Sequence, residues 1–242
     1  MLEVKDIHKT YRRGKETIYA LRGLTFSISK NDAFGLIGPN GAGKTTTIKA
    51  ILNLINLDKG QITIDGIDVR SYEARRMIGY APEIPYYPIH IPAIKLLKTY
   101  ISLYNLQIPK EKIEYYFELV KLSKFMHLPL SNYSKGMQQR FSILQAIIIE
   151  PKLLILDELT SGLDPIGQYE ILEIVKKLKN QTTILFTSHN LAEIEQICDK
   201  VMIINKGRSI FYGTVDELKN TYKADLYKIF FDLITQDNQS TG

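Results

Sequence analysis

The sequence has a single cysteine, no tryptophan and no long apolar run. One thiol, Cys198, cannot form an internal disulfide or supply the paired cysteines of a zinc site, which excludes disulfide-stapled secreted domains and cysteine-based zinc modules. A helix that crosses a bilayer needs ~18 or more apolar residues. The richest stretches fall short: Ile91 to Leu106 is broken by Lys95 and Lys98, and Phe141 to Leu156 by Glu150, Pro151 and Lys152. The start, MLEVKDIHKTYRR, lacks the apolar centre of a signal peptide. These absences lead us to expect a cytoplasmic chain that does not itself enter a membrane. Charge of one sign is also scarce: 31 Lys and Arg stand against 26 Asp and Glu, for a net +5. The basic residues are scattered through predicted helices, and no aromatic RNA-binding motif or recognition-helix pattern accompanies them, so no nucleic acid is expected as partner.

What is present is ordinary globular composition, with 45% hydrophobic and 24% charged residues over 242 positions. That length suits one domain, or a domain with an insertion. The first third alternates β-type runs with turns: Leu2 to Asp6, Ile18 to Ile28, Ala33 to Ile37, Gln61 to Ile64 and Ile78 to Tyr80. One helix interrupts them, from Thr45 to about Leu54, directly behind a glycine-rich turn. Pro82, Pro85, Pro88 and Pro92 then mark a rigid extended connector. Behind it, Ile94, Leu97, Ile101 and Tyr104, then Ile113, Tyr116, Phe117 and Val120, carry helical spacing. Residues 84–150 therefore read as an inserted helical module. The alternation resumes with apolar strands at Leu153 to Leu156 and Thr182 to Phe186 around a helix from Gln168 to Lys179. A hairpin over Val201 to Asn205 and Ser209 to Tyr212 turns at Lys206-Gly207, and the polar end, Thr235 to Gly242, is expected to fray.

Chemistry concentrates in Gly38-Pro39-Asn40-Gly41-Ala42-Gly43-Lys44-Thr45, which fits G-x-x-x-x-G-K-[ST]. Glycines at this spacing let backbone N–H groups curl around phosphate oxygens, and the helix that follows aims its positive dipole end at them. Lys44 would bind the β- and γ-phosphates, and the Thr45 hydroxyl would ligate Mg²⁺. A second element, Leu153-Leu154-Ile155-Leu156-Asp157-Glu158, is a buried strand ending in two carboxylates at the edge where open α/β sheets hold ligands. Asp157 would hold Mg²⁺ and Glu158 would polarise an attacking water. Taken alone, the pair would equally be helix-capping carboxylates.

With these elements in view, the chain resembles the ATPase subunit of an ATP-binding cassette (ABC) transporter over nearly its whole length. Tyr133-Ser134-Lys135-Gly136-Met137-Gln138-Gln139-Arg140 is similar to the family signature LSGGQ-x-Q-R and lies just before the carboxylate pair. Tyr11 resembles the aromatic residue on which adenine stacks. Ser161-Gly162-Leu163-Asp164 resembles the D-loop, His189 the switch histidine near the γ-phosphate, and Gly43-Lys44-Thr45-Thr46 the family form of the phosphate loop. Gly79-Tyr80-Ala81-Pro82-Glu83 occupies the place of the Q-loop. The resemblance implies an α/β fold: a P-loop NTPase core with a mainly parallel sheet, an N-terminal antiparallel β subdomain and an inserted α-helical subdomain. It implies ATP and Mg²⁺ as ligands, with Thr45, Asp157 and Glu83 on the metal. Ser134 and Gly136 would face the ATP of a partner subunit, Ser134 also serving as a helix N-cap, and Asp164 would lie in the D-loop.

The chain departs from the pattern at several positions. Glu83 stands for the usual Q-loop Gln, Lys135 and Met137 for the third and fifth signature residues, and Leu159 where Pro usually follows the catalytic Glu. The forms Pro-Glu and Tyr-Ser-x-Gly-Met resemble the branch rich in ABC-2-type and drug exporters, which leans the expectation toward export. Within the single domain we assign residues 1–83 and 151–221 to the core, 84–150 to the helical subdomain and 222–242 to a tail.

A helix from Ser134 to about Ile149 would span ~24 Å at ~1.5 Å per residue, which separates the signature from the carboxylates of its own chain. The signature then needs another subunit's nucleotide, and reciprocal contacts make a head-to-tail dimer of this chain with itself or with a related ATPase subunit. An integral membrane permease would receive the motion, holding the chain at the cytoplasmic face of the membrane. The apolar run Pro85, Tyr86, Tyr87, Pro88, Ile89 and Ile91 either receives that partner or packs the module onto the core. An ABC-type switch acting on ribosomes or nucleic acid is the competing reading. It is disfavoured because a second cassette, long coiled coils and zinc insertions are all missing. A GTPase would want N-K-x-D, and Asn205-Lys206-Gly207-Arg208 lacks the Asp.

Overall fold

A computed structural model of the chain describes residues 1–14 and 16–240. In order, the elements are β1 (Leu2–Arg13), β2 (Glu16–Ile28), β3 (Ala33–Ile37), α1 (Lys44–Ile51), β4 (Lys59–Ile64), β5 (Ile67–Asp68), α2 (Tyr72–Arg76) and β6 (Ile78–Ala81). Then come α3 (Ala93–Leu103), α4 (Lys110–Leu119), α5 (Lys135–Ile147), β7 (Leu153–Asp157), α6 (Pro165–Leu178) and β8 (Thr183–Thr187). The chain closes with α7 (Leu191–Ile197), β9 (Lys200–Asn205), β10 (Arg208–Thr214), α8 (Val215–Tyr222) and α9 (Leu226–Ser240).

Two sheets form. The antiparallel one runs β2-β1-β4-β5, and the mixed one runs β10-β9-β3-β8-β7-β6, parallel throughout except for β10 at its edge. The inner strands AFGLI, LLILD and TILFT are buried at every position, as expected of strands covered on both faces. Their side chains alternate between two cores. Leu153, Ile155 and Leu185 join Phe34, Leu36 and Ile48 under the antiparallel sheet, while Leu154, Leu156, Ile184 and Phe186 join Phe117, Phe141, Ile171 and Ile194 under the helices. Phe26 of β2 stacks on Phe34 of β3 with ring centres 5.3 Å apart, tying the two sheets. Such a pair contributes ~0.5–1.5 kcal/mol beyond its burial.

The strand order matters more for function than the core does. The chain reaches β8 from both sides, so the C-terminal ends of β3, β8 and β7 lie side by side, with Leu36 and Asp157 both registered against Thr187. Three loops therefore open at one edge: the glycine-rich turn after β3, the acidic pair at the end of β7, and Ser188-His189 after β8. Gly79 of β6 faces α5 so closely that a Cβ there would collide with the Ala146 carbonyl. That approach seats α5 on the sheet.

Most sequence expectations meet an element, with shifted ends. The first strand continues to Arg13, α1 stops at Ile51, and α6 starts early because Asp164 caps it, accepting from Gly167 N, with Pro165 in the first turn. Residues 82–92 are irregular, as the prolines require. The polar end differs from expectation. α9 continues to Ser240, because Leu226, Ile229 and Leu233 bury one helical face and Asn205 Nδ2 donates to Asp237 Oδ2 at 2.8 Å. Its last two expected residues, 241 and 242, lie outside the described residues. Among the described residues no helix is long and apolar enough to cross a membrane.

Candidate active site

At the shared edge of β3, β8 and β7 lies a cleft of about 600 Å³. It is lined by residues 39–46, by Tyr11 and Tyr19 of the β1–β2 ribbon, and by Glu83, Asp157, Glu158, Ser161 and His189. The turn is tight because Gly41 and Gly43 take positive φ (79° and 114°) and Ala42 N donates back to Pro39 O at 3.1 Å, which brings the chain into α1 beside the cleft. A Cβ at Gly43 would also meet the Ala20 carbonyl at 2.7 Å. Lys44 is only 8% exposed, donates from Nζ to Gly38 O at 2.6 Å, and stands 3.7 Å from Glu158 Oε1. Gly38 itself lies just behind the cleft, in a smaller cavity shared with Ser188 and Phe230. Thr45 and Thr46 open α1 toward the cleft.

The acidic end is strongly structured. Asp157 is buried, accepts from Thr187 Oγ1 at 2.6 Å and receives the Tyr80 hydroxyl at 3.4 Å. Burial pushes its carboxyl above the ordinary value, the Glu158 and Glu83 carboxylates add to that, and the two hydroxyl donors oppose it. The same burial, with Asp157 beside it, raises the Tyr80 phenol. Glu158 has left-handed backbone (φ 50°), held by its N–H donating to Thr187, and this turns its carboxylate back over the cleft. There Oε2 meets His189 Nδ1 at 2.5 Å. Tyr11, opposite Ile18 on the β1–β2 ribbon, is 37% exposed with Lys9 Nζ 5.4 Å from its ring centre.

The residues anticipated for Mg²⁺ offer oxygen only: the Thr45 hydroxyl and the Asp157 and Glu83 carboxylates. Among the described residues no group of three or more His, Cys, Asp or Glu is arranged as a self-sufficient metal site. A hard ion that keeps waters and takes a phosphate fits this donor set, and the clustered carboxylates leave negative charge to be offset.

Ser134, Gly136 and Asp164 do not line the cleft. Ser134 is exposed at the start of α5, its Oγ accepting from Met137 N at 3.2 Å. Lys135 Nζ donates to Ser161 O at 2.8 Å, so the signature stretch abuts the D-loop stretch of its own chain without entering the cleft. Gln139 donates to the Glu83 carbonyl, fixing α5 against the connector. Sequence reading missed Tyr19 and Ser161 in the cleft lining, and Thr187 and Tyr80 as the partners of Asp157.

A family profile described as ABC transporter matches residues 21–161, more than half of the chain. The chain belongs to the ABC transporter family. It is one of that family's ATP-binding subunits and an ATPase. The linearmycin resistance ATP-binding protein LnrL of Bacillus subtilis is 40% identical over 232 residues, covering 93% of this ABC subunit and 73% of LnrL. The methionine import ATP-binding protein MetN 1 of Staphylococcus aureus is 31% identical over 256 residues, covering 100% and 74%. Among solved structures, an ATP-binding subunit of an ABC transporter superposes with a TM-score of 0.84 at 31% identity, covering 96% of this ABC subunit and 99% of that chain. The cassette MJ0796, solved as a dimer in a post-hydrolysis state with ADP and Pi, shares the fold with a TM-score of 0.76 at 23% identity, covering 89% and 99%.

Proposed function

We propose that this ABC subunit binds Mg-ATP in the cleft and hydrolyses it in a head-to-tail dimer with itself or a related ATPase subunit, driving a separate membrane permease in the direction of export. The single observation that carries the reading is the arrangement of the cleft. A phosphate-binding turn with Lys44 shares the cleft with the Glu158–His189 pair, Lys44 Nζ lying 3.7 Å from Glu158 Oε1, while Ser134 lies outside. One chain thus supplies every group expected at the phosphates except the signature.

In this reading adenine stacks on Tyr11 beside Ile18, the phosphates accept from backbone N–H groups within residues 40–46, and Lys44 exchanges the Gly38 carbonyl for β- and γ-phosphate oxygens. Thr45, Asp157 and Glu83 would hold Mg²⁺, which when bound neutralises charge on the phosphates. Glu158 accepts a proton from the attacking water, and His189, within hydrogen-bond reach of Glu158, orients that water and the γ-phosphate. Ser134 and Gly136 at the N-terminus of the partner's α5 complete the phosphate shell, and Asp164 caps α6 beside the seam. The cassette is read as one unit: core 1–83 and 151–221, helical subdomain 84–150, tail 222–242.

The permease would dock on the connector after Glu83, holding the chain at the cytoplasmic face of the membrane. Ile84 and Tyr86 there are 76% and 96% exposed, whereas Tyr87 turns inward with its ring 5.3 Å from that of Phe141. The run therefore divides between packing and a free apolar surface. Export rests on the Pro-Glu form at residues 82–83 and the Tyr-Ser-x-Gly-Met form at residues 133–137. The test is Glu158→Gln, which should retain ATP binding, nearly abolish turnover, and elute as a dimer when ATP is added. Turnover at the parental rate would remove Glu158 from the role of base.

A further inference from the structure

Behind the cleft lies a buried carboxylate that the mechanism above does not use. Glu193, in the first turn of α7, is 1% exposed. Its Oε2 accepts from Thr160 Oγ1 at 2.8 Å and from Ser188 Oγ at 2.6 Å, and its Oε1 from Asn190 Nδ2 at 3.4 Å. Thr160 and Ser188 are themselves buried, at 4% and 1% exposure. A carboxylate in that position is costly unless every oxygen is bonded, and here both are. The two hydroxyls come from different loops. Thr160 lies two residues after Glu158, in the turn closed by Ser161 N donating to Glu158 O at 3.0 Å. Ser188 is next to His189, and its Oγ also accepts from Asn190 N at 2.9 Å.

The geometry points to Glu193 as a positioning residue for ATP hydrolysis: it clamps the turn behind Glu158 to the loop that carries His189, and so fixes the spacing of the two groups at the water. This rests on the proposed roles of Glu158 and His189. Both residues sit on loops at the ends of β7 and β8. Strand pairing ends at Asp157–Thr187 and Glu158 N still donates to Thr187 O; beyond that the Glu193 clamp joins the two loops from the side away from the cleft, where Glu158 Oε2 and His189 Nδ1 meet directly. Neither Glu193 nor Thr160 lines the cleft, so the clamp acts only through the loops it joins.

The test is Thr160→Val, which keeps the shape and removes one donor, with Ser188→Ala as an independent second break. Steady-state ATPase of the full chain should show kcat down by about tenfold or more, as expected when reacting groups are displaced by a fraction of an ångström, with KM for ATP near the parental value. Thr160→Ser, which restores the hydroxyl, should recover turnover relative to Thr160→Val. In the Glu158→Gln background, Thr160→Val should have no further effect on residual turnover, because the clamp acts through Glu158. Parental kcat in folded Thr160→Val and Ser188→Ala would overturn the inference. So would a rise in KM that matches the fall in kcat, or a full additional loss on top of Glu158→Gln. If Glu158→Gln itself turned over normally, the failure would instead lie with the proposed base.

Discussion

Ser134 has two roles in this reading, and substitution can separate them. Its hydroxyl caps α5 by accepting from Met137 N at 3.2 Å, and α5 carries Phe141, Ile143, Leu144, Ala146 and Ile147 into the core. Removing the cap in Ser134→Ala costs ~1 kcal/mol, which for a chain of this size lowers Tm by about 2–4 °C. Ser134→Asp keeps a capping oxygen and adds a negative charge at the positive end of the helix, a gain of ~0.3–1 kcal/mol that should hold or raise Tm. The second role has the opposite sign for Asp. If a γ-phosphate of the partner's ATP docks at this helix end, a carboxylate ~4 Å from one phosphate charge costs ~4 kcal/mol at an effective dielectric of ~20. That amounts to about a thousandfold in the ATP-driven association of two cassettes. Differential scanning fluorimetry without nucleotide, and size exclusion with ATP in the Glu158→Gln background, read the two effects separately. The expected pattern is Ala less stable, with Asp at least as stable as parent yet monomeric with ATP. An Asp variant that dimerises at the parental ATP concentration would refute the placement of Ser134 in the seam.

Two further outcomes follow from local structure. Asp157→Asn removes a buried charge whose folded form favours the proton, so without nucleotide the variant should be more stable than parent near neutral pH. The advantage should fade as pH falls through the raised folded value towards the ordinary 3.8, and be gone below that, where the parental carboxyl is protonated folded or unfolded. The same variant should lose the extra thermal stabilisation that Mg²⁺ adds to ATP, and equal stabilisation by Mg-ATP in both proteins would contradict Asp157 as a metal ligand. Ile84→Glu with Tyr86→Glu should leave folding free energy within ~0.5 kcal/mol of the parental value per substitution, both side chains being exposed, and should abolish co-purification with the membrane subunit. Retention on the membrane partner would move the docking surface elsewhere.

The fold and the glycine-rich turn of the cleft were largely legible because each rests on local signals. Four or five apolar residues in a row mark β3, β7 and β8, and the glycine spacing before Lys44 marks the turn between a strand and a helix. What could not be read depends on chain segments distant in sequence. Strand order alone places Thr187 beside Asp157 and His189 beside Glu158, and the left-handed backbone of Glu158 leaves no trace in residue type. Glu193 reads locally as an ordinary first-turn acid of a helix, since its partners lie 33 and 5 residues away. The polar end misled in a different way. Leu226, Ile229 and Leu233 carry helical spacing upstream of it, and that periodicity, extended past Thr235, would have predicted α9.

Mixing two inactive variants tests the shared site most directly. Lys44→Ala removes the phosphate-binding lysine but keeps an intact signature, and Ser134→Asp does the reverse. If ATP is held between the phosphate loop of one chain and the signature of the other, each variant alone should be inactive. An equimolar mixture should then regain activity, up to about half of the parental ATPase rate, since only mixed dimers hold a complete site and each has one intact site of two. A mixture that shows only the sum of the two variants measured apart would contradict a site built from two cassettes.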